Sequence, residues 1–256
     1  MILFAGGALD PSGWRVLENV ASLNAVESSN DLARAVIEMY FEEEQELPPS
    51  LFVAESQTQA RGRKGRWEAP PGRGLYFTVA LHLEGSEPIT VVPLAVARWT
   101  REALEEATGV AAELKWPNDL YVGRRKLAGV LSEARSQGDE TYVAVGVGIN
   151  VLGSAAEVGV PNATTIEEES GERHSLPRLL QSLIDRFDRE LARPDWKAQV
   201  AAWEKASLHH PGDAITVRRE GKEVRGEYLG LDPAGFLRLR TDAGETTVST
   251  GELADW

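Results

Sequence analysis

The sequence predicts an α+β protein with a mixed β-sheet that bears packed helices, followed by a small β-barrel. Two observations support this prediction. β-type runs and amphipathic helical runs are interspersed along residues 1–208, whereas residues 213–253 hold only short β runs separated by turns such as E-G-K and D-P-A-G. A chain of 256 residues with 42% hydrophobic and 26% charged residues can bury such cores. We therefore expect two domains, at residues 1–208 and 209–256.

In the first third of the chain, three strands and one helix are predicted. Residues 14–26 form a β-type run and its exit. The next residues, S-S-N-D, offer capping side chains for a helix over residues 28–46, which Pro48-Pro49 then ends. Residues 51–55 are a short apolar run typical of a buried strand. Residues 74–83 alternate between two faces, one of them wholly apolar, and predict a strand covered on that face.

The middle of the chain supplies further helices and the rest of the sheet. A long amphipathic helix is predicted over residues 88–108, ended by Gly109, and Gly123-Arg124-Arg125 is a predicted hairpin turn. Apolar residues at the 3.6-residue period predict a helix over residues 175–193, and a second helix is predicted over residues 195–207. The strands are expected to join one mixed sheet with its helices on one side. Four further strands are predicted at residues 113–116, 120–122, 126–134 and 141–151.

The composition excludes several classes of protein. The absence of cysteine excludes a catalytic thiolate and a Cys-based zinc site, and it is compatible with the cytoplasm, where we expect the protein. No run of 18 uncharged apolar residues occurs, so no membrane span is predicted. A net charge of −13 argues against general nucleic-acid binding. The four histidines lack metal-ligand spacing, and His209-His210 is expected to lie on linker surface.

A cationic loop is the first candidate site. Residues 61–66 read R-G-R-K-G-R, which places four cations and two glycines in an acidic chain. Glycines let backbone amides approach a ligand, and guanidinium groups pair with carboxylate and phosphate oxygens. The loop is not a P-loop, because the Walker sequence is absent. A solvated loop that is merely basic is the alternative at this point.

The second candidate is the stretch K-W-P-N-D-L-Y-V-G-R-R-K-L-A-G-V-L-S-E, residues 115–133. Asn118-Asp119 lies at a predicted turn, and a purely structural turn is the alternative to a binding role. Lys126 begins an apolar strand, where an inward-pointing ammonium group needs an anionic partner. The alternative is that Lys126 only marks the solvent-facing start of that strand.

The third candidate is V-G-V-G-I-N, residues 145–150. Gly146 and Gly148 alternate within a strand and leave one face without side chains, so a ligand can lie against the backbone. Gly129 lies in the middle of another predicted strand, and the two bare patches together predict a shallow slot. A cationic loop, an Asn-Asp turn, a strand lysine and such a slot are suited to holding an organic acid against a nucleotide phosphate.

In their order along the chain, these segments resemble the biotin protein ligases. The similarity rests on S-S-N at residues 28–30, the cationic loop, K-W-P-N-D, K-L-A-G-V-L-S-E and G-V-G-I-N. The resemblance implies a mixed-sheet domain followed by an SH3-like barrel. It also implies an ATP-dependent ligase that makes biotinyl-5′-AMP, with Mg²⁺ assisting. The biotin is then transferred to a lysine of the biotin carboxyl carrier protein domain of a biotin-dependent carboxylase.

The resemblance further implies a role for individual residues. Gln57 is expected to bind the ureido ring, and Lys126 to bridge the biotin carbonyl and the α-phosphate. The implied catalytic residues are Lys126, Arg61, Arg63 and Asp119. The implied biotin-binding residues are Ser28, Ser29, Asn30, Gln57, Arg61, Gly62, Arg63, Lys126, Gly129, Gly146 and Gly148. The implied ATP-binding residues are Arg61, Arg63, Lys64, Arg66, Trp67, Asn118, Asp119, Lys126 and Asn150. Mg²⁺ is expected to arrive with ATP, with Asp119 as a candidate ligand and no cage of protein ligands.

The match with the family is not complete, and further functions compete with it. Ala60 stands where the family usually has a glycine before the first loop arginine, and Ser29 replaces the usual threonine. No helix-turn-helix segment precedes the ligase pattern, so a repressor function is not expected; a homodimer is one assembly that the resemblance suggests. A lipoate–protein ligase-like acyl-adenylating enzyme is the main competing function, although an R-x-S-G-G-G-type loop is missing. A passive biotin binder and a biotin acceptor are two more candidates, and the A-M-K-M stretch of an acceptor is absent.

Overall fold

The structure of the chain is a computed structural model that describes residues 2–62, 65–67, 70–83, 89–138, 140–158, 162–219 and 221–255. The helices are α1 (Ser29–Glu42), α2 (Val92–Thr108), α3 (Ala155–Val158), α4 (Ile166–Ser170), α5 (Leu176–Leu191) and α6 (Trp196–Glu204). The strands of the first 150 residues are β1 (Ile2–Phe4), β2 (Gly7–Leu9), β3 (Asn19–Leu23), β4 (Ser50–Ala54), β5 (Arg61–Gly62), β6 (Gly65–Arg66), β7 (Gly74–Leu83), β8 (Glu113–Lys115), β9 (Asp119–Val122), β10 (Arg125–Gln137) and β11 (Glu140–Asn150). Those of the C-terminal part are β12 (Ala214–Arg219), β13 (Lys222–Leu231), β14 (Leu237–Thr241), β15 (Gly244–Val248) and β16 (Glu252–Asp255).

Seven strands form the central sheet in the order β3-β4-β7-β11-β10-β9-β8. β3 and β4 are parallel and the other neighbours are antiparallel, so the prediction of a mixed sheet is confirmed. All the strands predicted within residues 51–151 are present, with boundaries that agree within a few residues. Among the described residues, no helix is long and apolar enough to cross a membrane.

Helices cover both faces of the sheet, and the prediction that they lie on one side is wrong. α1 packs Ala33 and Ile37 against one face, in a cluster with Ala80 and Ala144. α2 and α5 cover the opposite face, where Phe77 lies in the main core. The sequence pattern misled because the α1 face of β7 carries Thr78 and Ala80, and such polar or small residues in a strand resemble a solvent-exposed face. In the structure, β7 is buried on both sides.

Residues 15–17, which precede β3, are held by a buried carboxylate rather than by strand pairing. Asp188 on α5 is 4% exposed. It accepts hydrogen bonds from the backbone amides of Arg15, Val16 and Leu17, at 2.8, 2.8 and 2.9 Å. These amides are therefore unavailable to a sheet, and β3 begins at Asn19 rather than near residue 14. The preceding hairpin of β1 and β2, and the short helices α3 and α4, were not predicted.

The C-terminal strands form a five-stranded antiparallel sheet in the order β15-β14-β13-β12-β16. The predicted all-β character of this region is confirmed. Within the described residues, β15 and β16 each pair with a single neighbour, so the expected barrel is not closed. The division at residues 208 and 209 stays a prediction.

A turn of the C-terminal sheet packs tightly on the central domain. The Trp116 indole nitrogen donates to the Gly235 carbonyl oxygen at 3.1 Å, and the Thr90 hydroxyl donates to the Ala234 carbonyl oxygen at 2.7 Å. A Cβ atom at Gly235 would lie 2.5 Å from Leu94 Cδ1 on α2. We call residues 232–236 the docking turn.

Candidate active site

A cleft of about 540 Å³ lies over the α1 face of the sheet. The predicted site residues that line it are Ser28, Ser29, Asn30, Gln57, Arg61, Gly62, Trp67, Asn118, Asp119, Lys126, Gly129, Gly146, Gly148 and Asn150. These residues come from separate parts of the sequence and meet at one place. Arg63, Lys64 and the side chain of Arg66 lie outside the described residues.

Glycines form the floor of the cleft, as predicted. Gly148 and Gly129 are directly opposed on β11 and β10. A Cβ atom at Gly148 would lie 3.1 Å from the Trp67 ring, and one at Gly129 would lie 3.1 Å from Lys126 Nζ. A Cβ atom at Gly146 would lie only 2.0 Å from Asn30 Oδ1. The bare strand face is therefore what lets the functional side chains approach the backbone.

One end of the cleft is a cluster of neutral hydrogen-bonding groups at the start of α1. The Ser28 side chain caps the helix, as predicted, by accepting from the Asp31 amide at 3.3 Å. Gln57 Oε1 accepts from the Ser29 amide at 2.6 Å. Thr78 Oγ1 donates to Asn30 Oδ1 at 2.7 Å and lies 2.8 Å from Ser29 Oγ. Because each group fixes its neighbour, this end is preorganised for a polar, uncharged ligand group.

Arg61 is held by two carboxylates of the protein. Its Nη2 lies 2.5 Å from Asp31 Oδ1 and 3.0 Å from Glu133 Oε2. Burial by itself lowers the pKa of Arg61, but the charges of Glu133 and Asp31 outweigh it and the pKa is raised. Arg61 lines the cleft while engaged in these pairs, so an anionic ligand would compete with Glu133 and Asp31 for its guanidinium group.

Lys126 and Asp119 form an ion pair beside the glycine floor. Lys126 Nζ lies 2.7 Å from Asp119 Oδ1, and their side chains are 27% and 24% exposed. The expectation that Lys126 needs an anionic partner is confirmed, and Asp119 is that partner. Lys126 Nζ also lies 5.2 Å from the centre of the Trp67 ring, a distance suited to a cation–π contact. The Lys126 and Asp119 side chains lie directly over Gly129, and the Trp67 ring lies beside them.

The backbone of Lys126 is fixed from outside the sheet. The Lys126 amide donates to the Asn162 carbonyl oxygen at 2.7 Å, and the Thr164 amide donates to the Lys126 carbonyl oxygen at 2.9 Å. Asn150 Nδ2 donates to the Thr164 carbonyl oxygen at 3.1 Å. Asn150 therefore holds the segment that positions Lys126, besides lining the cleft itself.

Asn118 offers an acceptor to the cleft. The residue is 5% exposed, and its Nδ2 donates to the Val130 carbonyl oxygen. Its Oδ1 is buried and has no hydrogen-bond partner among the described residues. Since buried carbonyl oxygens are normally paired, this atom is suited to accept a hydrogen bond from a ligand.

Comparison with known proteins identifies the family of the chain. The profile of the biotin/lipoate A/B protein ligase family matches residues 25–150, and that of the biotin protein ligase C-terminal domain matches residues 210–253. The biotin--[acetyl-CoA-carboxylase] ligase of Paracoccus denitrificans is 30% identical over 217 residues, which cover 78% of this chain and 88% of that protein. This chain belongs to the biotin protein ligase family. The predicted resemblance is thereby confirmed.

A second relative in sequence and a solved structure are also similar to this chain. The bifunctional ligase/repressor BirA of Bacillus subtilis is 28% identical over 218 residues. The match covers 80% of this chain but 65% of BirA, so the chain spans about two thirds of that relative's length. The biotin protein ligase of Aquifex aeolicus, solved in complex with biotin and ATP, is 27% identical with a TM-score of 0.71, and the match covers 93% of this chain and 98% of that one.

Several residues that line the cleft were not identified from the sequence. Tyr121 is one of them: burial, and secondarily the charge of Asp119, raise its pKa to about 12. The missed residues include Lys115, Tyr121, Arg218, Arg219, Thr250, Gly251 and Glu252. The last five belong to the C-terminal part and reach the cleft only through tertiary packing, so no local pattern could identify them.

The expectation that His209 lies on linker surface is wrong. His209 is 6% exposed and packs against Tyr228 of β13, with 6.3 Å between ring centres. Burial lowers its pKa to about 4; Asp213 opposes the shift and Lys115 adds to it. Its neighbour His210 is exposed, as predicted for both.

Proposed function

We propose that this chain is a biotin protein ligase, which activates biotin with ATP and then transfers it to a lysine of a biotin carboxyl carrier protein domain. The observation that supports this most directly is the Lys126–Asp119 pair at 2.7 Å above a glycine floor, in a cleft that Arg61 also lines. The family membership of the chain supports the choice of biotin and ATP as substrates.

In the first proposed step, a biotin carboxylate oxygen attacks the α-phosphorus of ATP. A bond forms between that oxygen and phosphorus, the bond to the bridging oxygen breaks, and pyrophosphate leaves with the electron pair. Carboxylate and triphosphate repel each other, so fixed cations are needed where charge accumulates. A single preorganised donor of this kind is commonly worth about 10²–10³ in rate. Lys126 is our candidate, with Arg61 and Arg63 assisting.

In the second proposed step, the carrier lysine attacks the acyl carbon of biotinyl-5′-AMP. An amide forms, AMP leaves with the electron pair, and the attacking nitrogen loses a proton. Asp119, whose carboxylate already lies beside the reacting space, is our candidate for orienting that amine.

The chemistry of the two ends of the cleft suggests which substrate each end binds. The neutral cluster of Ser28, Ser29, Asn30 and Gln57 suits the ureido ring and its surroundings, because a ureido group both donates and accepts hydrogen bonds without carrying charge. Toward β9 and β10, Asn118 Oδ1, which has no hydrogen-bond partner in the described part of the chain, suits the nucleotide, together with Asn150 and the aromatic face of Trp67. These assignments, and those of Lys64 and Arg66 to ATP, are proposals.

The residues present also fit a magnesium ion that arrives with ATP. Asp119 and Glu252 are the carboxylates among the described residues that line the cleft. Mg²⁺ prefers oxygen ligands and is commonly held by one or two carboxylates plus substrate phosphates. When bound, it would neutralise phosphate charge. A cytoplasmic location, a homodimer and the absence of a nucleic-acid partner stay predictions.

The test is incubation of the protein with ATP, Mg²⁺ and either biotin or lipoate, followed by mass spectrometry of the acyl-AMP. We expect biotinyl-5′-AMP with biotin and no lipoyl-AMP with lipoate. Formation of lipoyl-AMP alone would favour the lipoate-type function. Binding of biotin without pyrophosphate release would instead indicate a passive binder and refute the proposal.

A further inference from the structure

Lys115 is a buried cation for which the sequence analysis found no role. It is 5% exposed, and it is the only buried lysine in the described part of the chain. Its ammonium nitrogen lies 5.0 Å from the centre of the Tyr121 ring. A buried charge costs free energy that a purely structural position would avoid with an apolar side chain. Lys115 also lines the cleft, so its ammonium group is placed to meet a ligand that binds there.

The register of the sheet places Lys115 relative to the rest of the site. Gly148 pairs with Gly129, and Gly129 pairs with Asp119. Asp119 in turn pairs with Lys115. Directly opposed residues project from the same face, so these positions form one row across four strands on the cleft face. With about 4.8 Å between strands, Lys115 lies about 5 Å beyond Asp119 and about 14 Å from Gly148.

The order of this row has a chemical consequence, which rests on the proposed adenylation. The neutral cluster around Asn30 lies against Gly146 of β11, two residues along that strand from Gly148, and the Lys126–Asp119 pair lies near the middle of the row. A carboxylate held from the Asn30 end approaches the α-phosphorus from that side. In such a displacement the attacking and leaving oxygens lie roughly in line, so pyrophosphate departs toward β8. Lys115 is on β8.

The C-terminal sheet contributes two arginines and one glutamate, Glu252, to the cleft. Arg218 and Arg219 line the cleft. The Leu114 amide donates to the Ala206 carbonyl oxygen at 2.8 Å, and the Leu208 amide donates to the Leu114 carbonyl oxygen at 2.9 Å. These bonds hold β8 beside the segment that enters the C-terminal sheet. Arg218 is half-exposed and pairs with Glu223 at 2.9 Å, whereas Lys115 is buried, so solvent screens the charge of Lys115 less.

We propose that Lys115 binds the leaving pyrophosphate of the adenylation step. As the new phosphorus–oxygen bond forms, negative charge grows on the bridging oxygen, and the Lys115 ammonium group donates hydrogen bonds to the departing oxygens. No proton changes hands. The transfer step releases AMP and no pyrophosphate, so it proceeds without Lys115. Lys115 is thus a catalytic residue of the first step alone.

The experiment compares the two steps in Lys115→Met, which keeps the length of the side chain and removes its charge. Adenylate formation from biotin and ATP should slow by about 10²-fold, in line with the loss of one charged donor. In the reverse reaction, from biotinyl-5′-AMP and pyrophosphate to ATP, the KM for pyrophosphate should rise at least tenfold. Transfer of biotin from supplied biotinyl-5′-AMP to the carrier should stay within threefold of the unmodified protein.

The control is Lys222→Met, an exposed lysine of β13, which should change neither step. Lys115→Arg keeps the charge and should recover most of the affinity for pyrophosphate, which separates a charge effect from a packing effect. An equal loss in both steps, or a pyrophosphate KM unchanged in Lys115→Met, would overturn the inference. Calorimetric titration of Mg²⁺-pyrophosphate into the unmodified protein and into Lys115→Met measures pyrophosphate binding independently of the rates. If the unmodified protein binds pyrophosphate through Lys115 but makes no biotinyl-5′-AMP, the site stands and the proposed function fails.

Discussion

Replacing Lys126 by Met should separate activity from stability. Its ion pair with Asp119 is short, at 2.7 Å, but both side chains are about a quarter exposed. Pairs of this kind contribute at most about 1 kcal/mol to folding. For a chain of this size, that lowers Tm by about 2–4 °C. The loss of one fixed donor to a developing anion should instead slow adenylate formation by about 10²–10³, or about 2.7–4 kcal/mol of activation free energy. The effect on rate therefore exceeds the effect on stability severalfold.

The assay is a single-turnover measurement of biotinyl-5′-AMP formation by quenched flow, with thermal unfolding recorded on the same samples. Lys197→Met is the matched control. Lys197 is exposed on α6 and does not line the cleft, so this variant should leave the rate and the Tm unchanged. A rate for Lys126→Met within fivefold of the unmodified protein would remove Lys126 from the mechanism. A fall in Tm beyond about 8 °C would show that the ion pair is mainly structural and that our reasoning on its exposure is wrong.

Three further predictions concern other parts of the chain. Gly146→Ala should weaken biotin binding at least tenfold in calorimetry without ATP, because the new Cβ would lie 2.0 Å from Asn30 Oδ1 and displace a buried hydrogen-bonding group; unchanged affinity would contradict the assigned biotin end. Burial lowers the pKa of His209 from 6.5 to about 4, so unfolding takes up a proton below pH 6.5. Stability should fall by up to about 3 kcal/mol as pH drops from 6.5 toward 4, and His209→Gln should flatten that part of the urea-unfolding profile. Asp188→Asn should lower the free energy of unfolding by about 2–4 kcal/mol, because the new amide N–H₂ faces one of the three backbone donors of residues 15–17; an unchanged urea midpoint would refute this.

The floor of the cleft could be predicted because its determinants are local. Gly146 and Gly148 alternate within one strand, and alternation alone establishes that they share a face. Lys126 begins an apolar strand, and an ammonium group that points inward from such a strand requires an anionic partner. The identity of that partner as Asp119 needed the register of β9 and β10, which the sequence does not encode in any short pattern.

The features that the sequence missed depend on tertiary packing. Lys115 is buried because residues 206–208 and the C-terminal sheet cover the β8 edge, so its position in the sequence resembles that of any strand-end lysine. The two-sided burial of the sheet was missed because Ala80 and Ala144 are too small to mark a buried face. The prediction that His209 is exposed failed for a related reason, because its burial depends on Tyr228, which lies in β13, about 20 residues later in the chain. The roles of the cleft residues stay predictions until the variants are measured.

The docking turn limits how freely the two ends of this gene can be recombined. The Trp116 indole N–H donates to the carbonyl oxygen of Gly235, and Leu94 leaves no room for a side chain at Gly235. Trp116 is followed within three residues by Asp119. A chimera that imports the C-terminal sheet from a relative must therefore import a compatible K-W-P-N-D segment with it. Otherwise a poor fit between Gly235 and Trp116 is expected to displace Asp119 in the cleft.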